Sequence, residues 1–244
     1  MFLLDKNILP QNPNLNFNKW LDLCNSEGSA VLINKETDWT SFDVVAKMRK
    51  ITKIKKIGHC GTLDPFATGL LILCLGKATK QISNFQDLPK QYLATVKLGT
   101  TTKSFDTEQE EENQKDISHL KNEQIISVIN KFVGKIEQIP PMFSAKKIKG
   151  EKLYDLARKN IEIELQPVTV EIFSIKIISI ELPFVQLLID CSKGTYIRAL
   201  ARDIGKELGV GGYLTQLKRT AIGEYLSQNS FEIDEIFSWS KLGL

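Results

Sequence analysis

From its amino terminus the chain alternates short apolar runs with polar breaks, and the spacing of the apolar positions predicts an ordered series of elements. Met1 to Asn18 hold one apolar burst, Phe2 to Leu4, before Asp5 and Asn- and Gln-rich sequence, and residues 1 to 28 read as a polar extension ending at Gly28. Ala30 to Ile33 predicts a short strand. Ser41 stands where it would cap a helix whose apolar Val44, Val45 and Met48 recur at helical spacing. Leu70 to Leu75 is an unbroken apolar run, short enough for a buried strand, closed by Gly76. Tyr92, Ala94, Val96 and Leu98 alternate with Leu93, Thr95 and Lys97, which suits a strand ending at Gly99.

Further on, Asn122 is placed to cap an amphipathic helix bearing Ile125, Ile126, Ile129, Phe132 and Val133, with Gly134 as its stop. Pro140 to Gly150 reads as a loop containing Pro, Ser and Lys, followed by a short helix around Leu153 to Arg158. The β-branched runs Val168 to Leu182 and Phe184 to Cys191 predict paired strands. A helix after Gly194 carries Ile197, Leu200, Ala201, Ile204 and Leu208 on one face and ends at Gly209. Hairpins are mixed with helices and no repeat recurs, so the expected class is α+β around a mixed, largely antiparallel central sheet flanked by helices.

A length of 244 residues fits one domain, or one domain with a small appendage. The 42% hydrophobic and 25% charged content is that of a chain with a sizeable core, which excludes collagen-like and wholly disordered readings. No apolar run approaches the length of a membrane span, and the amino terminus lacks the pattern of a secretory signal; a cytoplasmic location is expected. The formal charge of +3 is a weak lean toward anionic partners. Its distribution matters more. Lys47, Arg49, Lys50, Lys53, Lys55 and Lys56 form one basic stretch, and Lys146, Lys147, Lys149 and Lys152 another. Acidic residues gather between Asp106 and Asp116, and each run alone reads as a solvated face. Cys24, Cys60, Cys74 and Cys191 include no close pair in sequence, which points to reduced thiols and neither a zinc site nor a disulfide scaffold.

Candidate chemistry concentrates in Gly58-His-Cys-Gly-Thr-Leu-Asp64-Pro-Phe-Ala-Thr-Gly69. Three glycines in twelve residues and a proline directly after an aspartate describe a tight, rigid loop. Pro65 fixes its own φ and holds Asp64 extended. Such a loop can present one carboxylate in a fixed direction, as nucleophilic catalysis needs; an Asp before Pro also commonly just caps a turn. Gly69 to Lys77 fails as a phosphate loop, because six residues separate its glycines and Ala78 stands where a hydroxyl should follow the lysine. No Gly-x-Ser-x-Gly elbow occurs.

Together with Gly76-Lys-Ala-Thr-Lys80, this loop resembles the signature of the bacterial tRNA pseudouridine synthase B family. Trp39-Thr-Ser-Phe-Asp43, Lys90-Gln-Tyr92, Leu98-Gly99, Pro140-Pro-Met-Phe-Ser-Ala-Lys146, Leu153-Tyr-Asp-Leu-Ala-Arg158 and Cys191-Ser-Lys-Gly-Thr-Tyr-Ile-Arg198 match in the same order. The likeness runs from about Gly28 to Tyr225. It implies a pseudouridine synthase fold, with residues 29 to 230 as the catalytic domain and an RNA-gripping insertion at about 123 to 160. Residues 231 to 244 would be a tail, without room for a full C-terminal RNA-binding domain.

The resemblance implies an isomerase that detaches one uracil, at position 55 in the T loop of tRNA, and rejoins it to its ribose through C5. No cofactor and no metal are implied. Asp64 would be the catalytic carboxylate and Arg198 its partner, while Tyr92 would pack on the target base. His59 would lie against the flipped nucleotides, Lys80 would touch backbone phosphate, and Tyr196 and Leu217 would line the uracil pocket. The partner implied is the tRNA T-arm alone, with the protein a monomer. This sequence departs from the family's usual residues at Cys60, at Lys103, and at Glu36 and Asp38, which stand for Pro and Gly before Trp39. Two other readings stay open: a tRNA-folding chaperone without essential catalysis, and a pseudouridine synthase acting on another RNA. A carboxylate-dependent hydrolase is disfavoured, as no second carboxylate is identifiable.

Overall fold

The computed structural model describes residues 1–143, 147–148, 151–153, 161, 163 and 165–242. The helix expected around Leu153 to Arg158, beyond Leu153 itself, and residues 144–146 and 149–150 of the loop before it lie outside these residues. The chain divides into two units, Met1–Lys90 with Lys218–Leu244, and Gln91–Leu217.

The first unit begins with strand β1 (Phe2–Leu4), a short helix α1 (Ile8–Gln11) and helix α2 (Phe17–Ser26), followed by β2 (Ser29–Lys35), α3 (Ser41–Thr52), β3 (Ile57–His59) and β4 (Thr68–Leu75). Helix α4 (Ile82–Asp87) closes this stretch. β1 runs parallel to β2, β2 antiparallel to β4 over the full register Ser29↔Leu75 to Lys35↔Gly69, and β3 antiparallel to β4. Alternation on β4 divides its side chains between two apolar clusters. Leu71, Leu73 and Leu75 pack with α2 and α3, whereas Leu70, Ile72 and Cys74 face Ala30, Leu32 and Cys60. A strand buried on both faces needs no polar alternation, which is why it reads as one continuous apolar run.

Residues 1 to 28 are part of this core. Asn16 caps α2 by accepting from the Lys19 amide, and Phe17, Trp20 and Cys24 turn inward at helical spacing. The Trp20 indole donates to Ser29 Oγ at 2.9 Å. The C-terminal segment meets it: helix α7 (Ile233–Leu242) buries Ile233 and Ile236, and Trp239 stands 5.3 Å edge-on to Phe17 and 5.6 Å from Trp20, ring centre to ring centre.

The second unit holds β5 (Lys90–Leu98), α5 (Asn122–Asn130), β6 (Gly134–Gln138), the two-residue strands β7 (Lys147–Ile148) and β8 (Glu151–Lys152), β9 (Val168–Glu181), β10 (Phe184–Cys191) and α6 (Ile197–Glu207). β11 (Gly212–Ile222) begins here and ends in the first unit, where β12 (Tyr225–Leu226) folds back on it. β5 lies between β11 and β10, and β9 pairs antiparallel with both β10 and β6. Tyr92, Ala94, Val96 and Leu98 are the buried face of β5, as the alternation predicts. α6 seats tightly on the chain beyond it: a Cβ at Gly205 would come within 2.2 Å of the Gly211 carbonyl carbon, so only glycine permits this approach.

Helix starts differ from expectation by one residue. Thr40, not Ser41, caps α3, through a reciprocal box with Asp43; the N-cap position of α5 is Lys121 rather than Asn122, and its amide donates to the Gln124 side chain at 3.0 Å. Ser41 is left for another task.

Candidate active site

The loop from Gly61 to Ala67 carries Asp64, and its backbone is tied down at several points. The Leu63 amide donates to Ser41 Oγ at 2.9 Å, and the same hydroxyl donates to the Leu63 carbonyl at 3.2 Å. Ala67 N–H closes a turn on the Asp64 carbonyl at 3.1 Å. The Pro65 carbonyl accepts from the Asp38 amide and from Lys35 Nζ, each at 3.0 Å. Arg219 reaches under the start of the loop, donating to Leu70 O at 2.8 Å, Gly61 O at 3.1 Å and Thr62 O at 3.5 Å. Gly69, with φ +99°, lets this happen: a Cβ there would lie 2.3 Å from the Arg219 carbonyl oxygen. A half-buried carboxylate on so constrained a loop has its direction set before any substrate arrives.

Two buried cations support it. Lys35 is wholly buried at the end of β2, with Nζ donating to the carbonyls of Glu36 at 2.8 Å, Trp39 at 2.6 Å and Pro65. Burial pulls its pKa down to about 8, while the charges of Asp64 and Asp38 oppose that fall. Asp38 adopts the left-handed backbone at φ +66°, a conformation that Asp tolerates. Replacing Lys35 with Met is expected to destabilise the fold by about 2 kcal/mol, since three carbonyls lose their donor. Between pH 8 and the unfolded lysine value near 10.5, the unfolded chain keeps a proton on Lys35 that the folded chain has shed. Unfolding free energy therefore gains a positive slope with pH in that window and none below it. Urea unfolding from pH 7 to 10.5 tests this: the excess stability of wild type over the variant should climb with pH, and a flat difference would refute the assignment.

His59 ends β3 on the approach to the loop. Its Nδ1 is buried without a hydrogen-bond partner among the described residues, and burial, with the nearby charge of Arg219, lowers its pKa. The Phe42 ring stands edge-on to it at 5.2 Å. Lys80 lies elsewhere. It follows the opposite end of β4, roughly 23 Å of strand from Asp64 at about 3.3 Å per residue. There Lys53, Lys55, Lys56, Lys77 and Lys80 line a groove of about 590 Å³. Cys60 and Cys74, distant in sequence, bring their sulfurs within 3.4 Å as buried free thiols.

The second unit holds Tyr92, Tyr196, Arg198 and Leu217. Arg198, 4% exposed, pairs with Asp106 at 3.0 Å and donates also to the carbonyls of Ser104 at 3.1 Å and Phe143 at 2.6 Å. Asp106 is fully buried and accepts in addition from the Glu108 amide. Reading it with the solvated acidic run to Asp116 is therefore corrected: its carboxylate fixes the arginine. Tyr196 is tied to Gln138 in both directions, its amide to Oε1 at 3.0 Å and its carbonyl from Nε2 at 3.3 Å. Tyr92 and Leu217 are buried at 9% and 6% exposure. Asp106, Lys35 and Arg219 are the residues that sequence reasoning missed. Only Arg219 left a signal, falling in step with Leu217 and Ala221 on the inward face of β11. The side chains of Lys147 and its neighbours lie outside the described residues.

Among the described residues no cluster of His, Cys, Asp and Glu suits a metal, and no helix is long and apolar enough to cross a membrane. The model of TruB family pseudouridylate synthases (N-terminal domain) matches residues 49–197, and that of the tRNA pseudouridylate synthase B C-terminal domain matches residues 198–240. The fold is thus that of a pseudouridine synthase, an isomerase. Solved structures agree. A chain of a Cbf5-Nop10-Gar1 complex is similar with a TM-score of 0.69 and 27% identity, over 92% of this chain and 59% of that one. A chain of an H/ACA RNP bound to a substrate RNA containing 2'-deoxyuridine gives 0.65 and 26%, over 88% and 55%. The chain belongs to the TruB family. The tRNA pseudouridine synthase B of Parabacteroides distasonis is 47% identical over 85% of this chain and 97% of its own, and that of Clostridium tetani 46% over 84% and 71%.

Proposed function

We propose that this protein isomerises uridine 55 in the T loop of tRNA to pseudouridine, acting in the cytoplasm as a monomer on the T-arm. The observation that carries this is Asp64 on its clamped loop, in a chain whose relatives are tRNA pseudouridine synthases. The reaction breaks the N1–C1' bond and forms C5–C1'. A proton leaves C5 and one arrives at N1, so atoms and electrons balance without a cofactor. Asp64 is the nucleophilic carboxylate, Arg198 its charged partner, and Tyr92 the ring that stacks on the uracil. Tyr196 and Leu217 line the base pocket and His59 meets the neighbouring nucleotides. The target base lies inside the tRNA elbow and must be flipped out, at a cost of a few kcal/mol.

The lysine groove beyond β4 supports a long-range contact with tRNA phosphate. Exchanging Lys80 for Gln is expected to weaken tRNA binding, the loss falling on KM. It should also lower the slope of log affinity against log salt by about one, the share of a single phosphate contact. Filter binding across a salt series checks this.

The direct test incubates the protein with an unmodified tRNA transcript and maps pseudouridine by carbodiimide-dependent reverse-transcription stops. One new stop at T-loop uridine 55, absent with Asp64→Asn, is the expected result. A stop elsewhere would move the substrate to another RNA site, and no stop with binding retained would favour the folding-chaperone reading.

A further inference from the structure

Phe42 is the second residue of α3, and the structure leaves its ring 65% exposed while Val44, Val45 and Met48 of the same helix turn into the core. A solitary exposed aromatic is ordinary on a protein surface; this one is placed. It follows Ser41, whose hydroxyl is bonded to Leu63, the neighbour of Asp64. Its ring stands at 89° to His59, 5.2 Å away, five residues before Asp64. Both rings are therefore fixed to the framework that aims the carboxylate. Burial, with the nearby charge of Arg219, lowers the pKa of His59 and so favours its uncharged ring beside that of Phe42. An aromatic ring so exposed, beside a site that has no other exposed ring described on its loop, suits a flat and uncharged partner.

We propose that Phe42, backed by His59, is a stacking platform for an unpaired RNA nucleobase adjacent to the target uridine. The inference rests on the proposed function and adds a base-binding position to it. Base–aromatic stacking is tolerant of base identity and strong enough to hold a splayed nucleotide open. The platform would thus keep a neighbour from restacking into the space vacated by the flipped uridine. Phe42 acts on binding and leaves the chemistry to Asp64.

The test measures KM and kcat on a T-arm stem-loop RNA and on copies carrying one abasic site at each loop position other than the target. Phe42→Ala is expected to raise KM roughly tenfold, and Phe42→Tyr to restore it. One abasic position should raise KM for wild type but much less for Phe42→Ala, because the base and the ring form one contact. An active wild type, with the KM of Phe42→Ala within about twofold of it or with equal abasic penalties in both proteins, would overturn the platform alone. A wild type inactive on tRNA and stem-loop alike would overturn the functional reading and the platform with it. Phe42 is mostly exposed, so its removal leaves the core intact.

Discussion

Replacing Asp64 with asparagine is expected to remove at least about a thousandfold of the isomerisation rate, while tRNA affinity stays within a few-fold of wild type. Asparagine matches aspartate in shape, and the bonds that set the loop run through other groups: the Asp64 carbonyl, both polar atoms of Leu63, and the carbonyls of Gly61, Thr62 and Pro65. The variant keeps these bonds and lacks the carboxylate charge that the proposed mechanism needs. Single-turnover assays with a tritium-labelled uridine, alongside filter binding, separate the two effects. Turnover that survived in Asp64→Asn would remove the nucleophile from the mechanism. Asp64→Glu sharpens the point. Its carboxylate is one methylene longer, and a loop fixed at both ends cannot retract to compensate. A misplacement of about 1 Å is enough for a loss near a hundredfold. A flexible loop would forgive that change, so near-normal activity in Asp64→Glu would show that the clamp does not act as described.

How much of this was legible in the sequence depends on the range of the interactions. β4, β5, β9, β10 and α6 follow from local periodicity, and their bounds agree closely with the apolar runs that announce them. Asp64 was legible because Gly and Pro restrict a backbone wherever they occur. Pairings across the fold left no such trace. Lys35 ends a strand and reads as its polar terminus, yet the chain from Glu36 to Trp39 and the loop at Pro65 close over it and supply three carbonyls. Asp106 opens an acidic run and shares its composition, but Arg198, distant in sequence, draws it inside. Residues 1 to 28 read as polar because six asparagines are spread through them. Phe17, Trp20 and Cys24 nonetheless repeat at helical spacing, and Trp239 completes their cluster from the other end of the chain. Ser41 misled for a physical reason: adjacent Thr40 can cap equally well, and only the position of Leu63 decides which hydroxyl goes where.

Asp106 and Arg198 carry the second large prediction. Both are almost wholly buried, and a charged pair in that setting stabilises chiefly when neither member is removed. Asp106→Ala takes away the carboxylate that accepts from the guanidinium and from the Glu108 amide, and the expected cost is about 3 kcal/mol of stability. Arg198→Met also takes donors from the carbonyls of Ser104 and Phe143 and should cost a similar amount. Because the two changes remove one shared interaction, the double variant should lose clearly less than the two single losses added together, a coupling that urea unfolding of all four proteins measures. Additive losses would mean that the pair contributes nothing beyond its separate contacts. Activity then separates positioning from mere stability. Asp106→Asn keeps the shape and one acceptor but weakens the hold on the guanidinium, so, on the proposed role of Arg198 as the charged partner of Asp64, kcat should still fall by at least about tenfold at a temperature where the variant is fully folded. If Asp106 were only a structural residue, a fully folded Asp106→Asn would turn over at the wild-type rate, and the arginine it holds would have no role in aiming the chemistry.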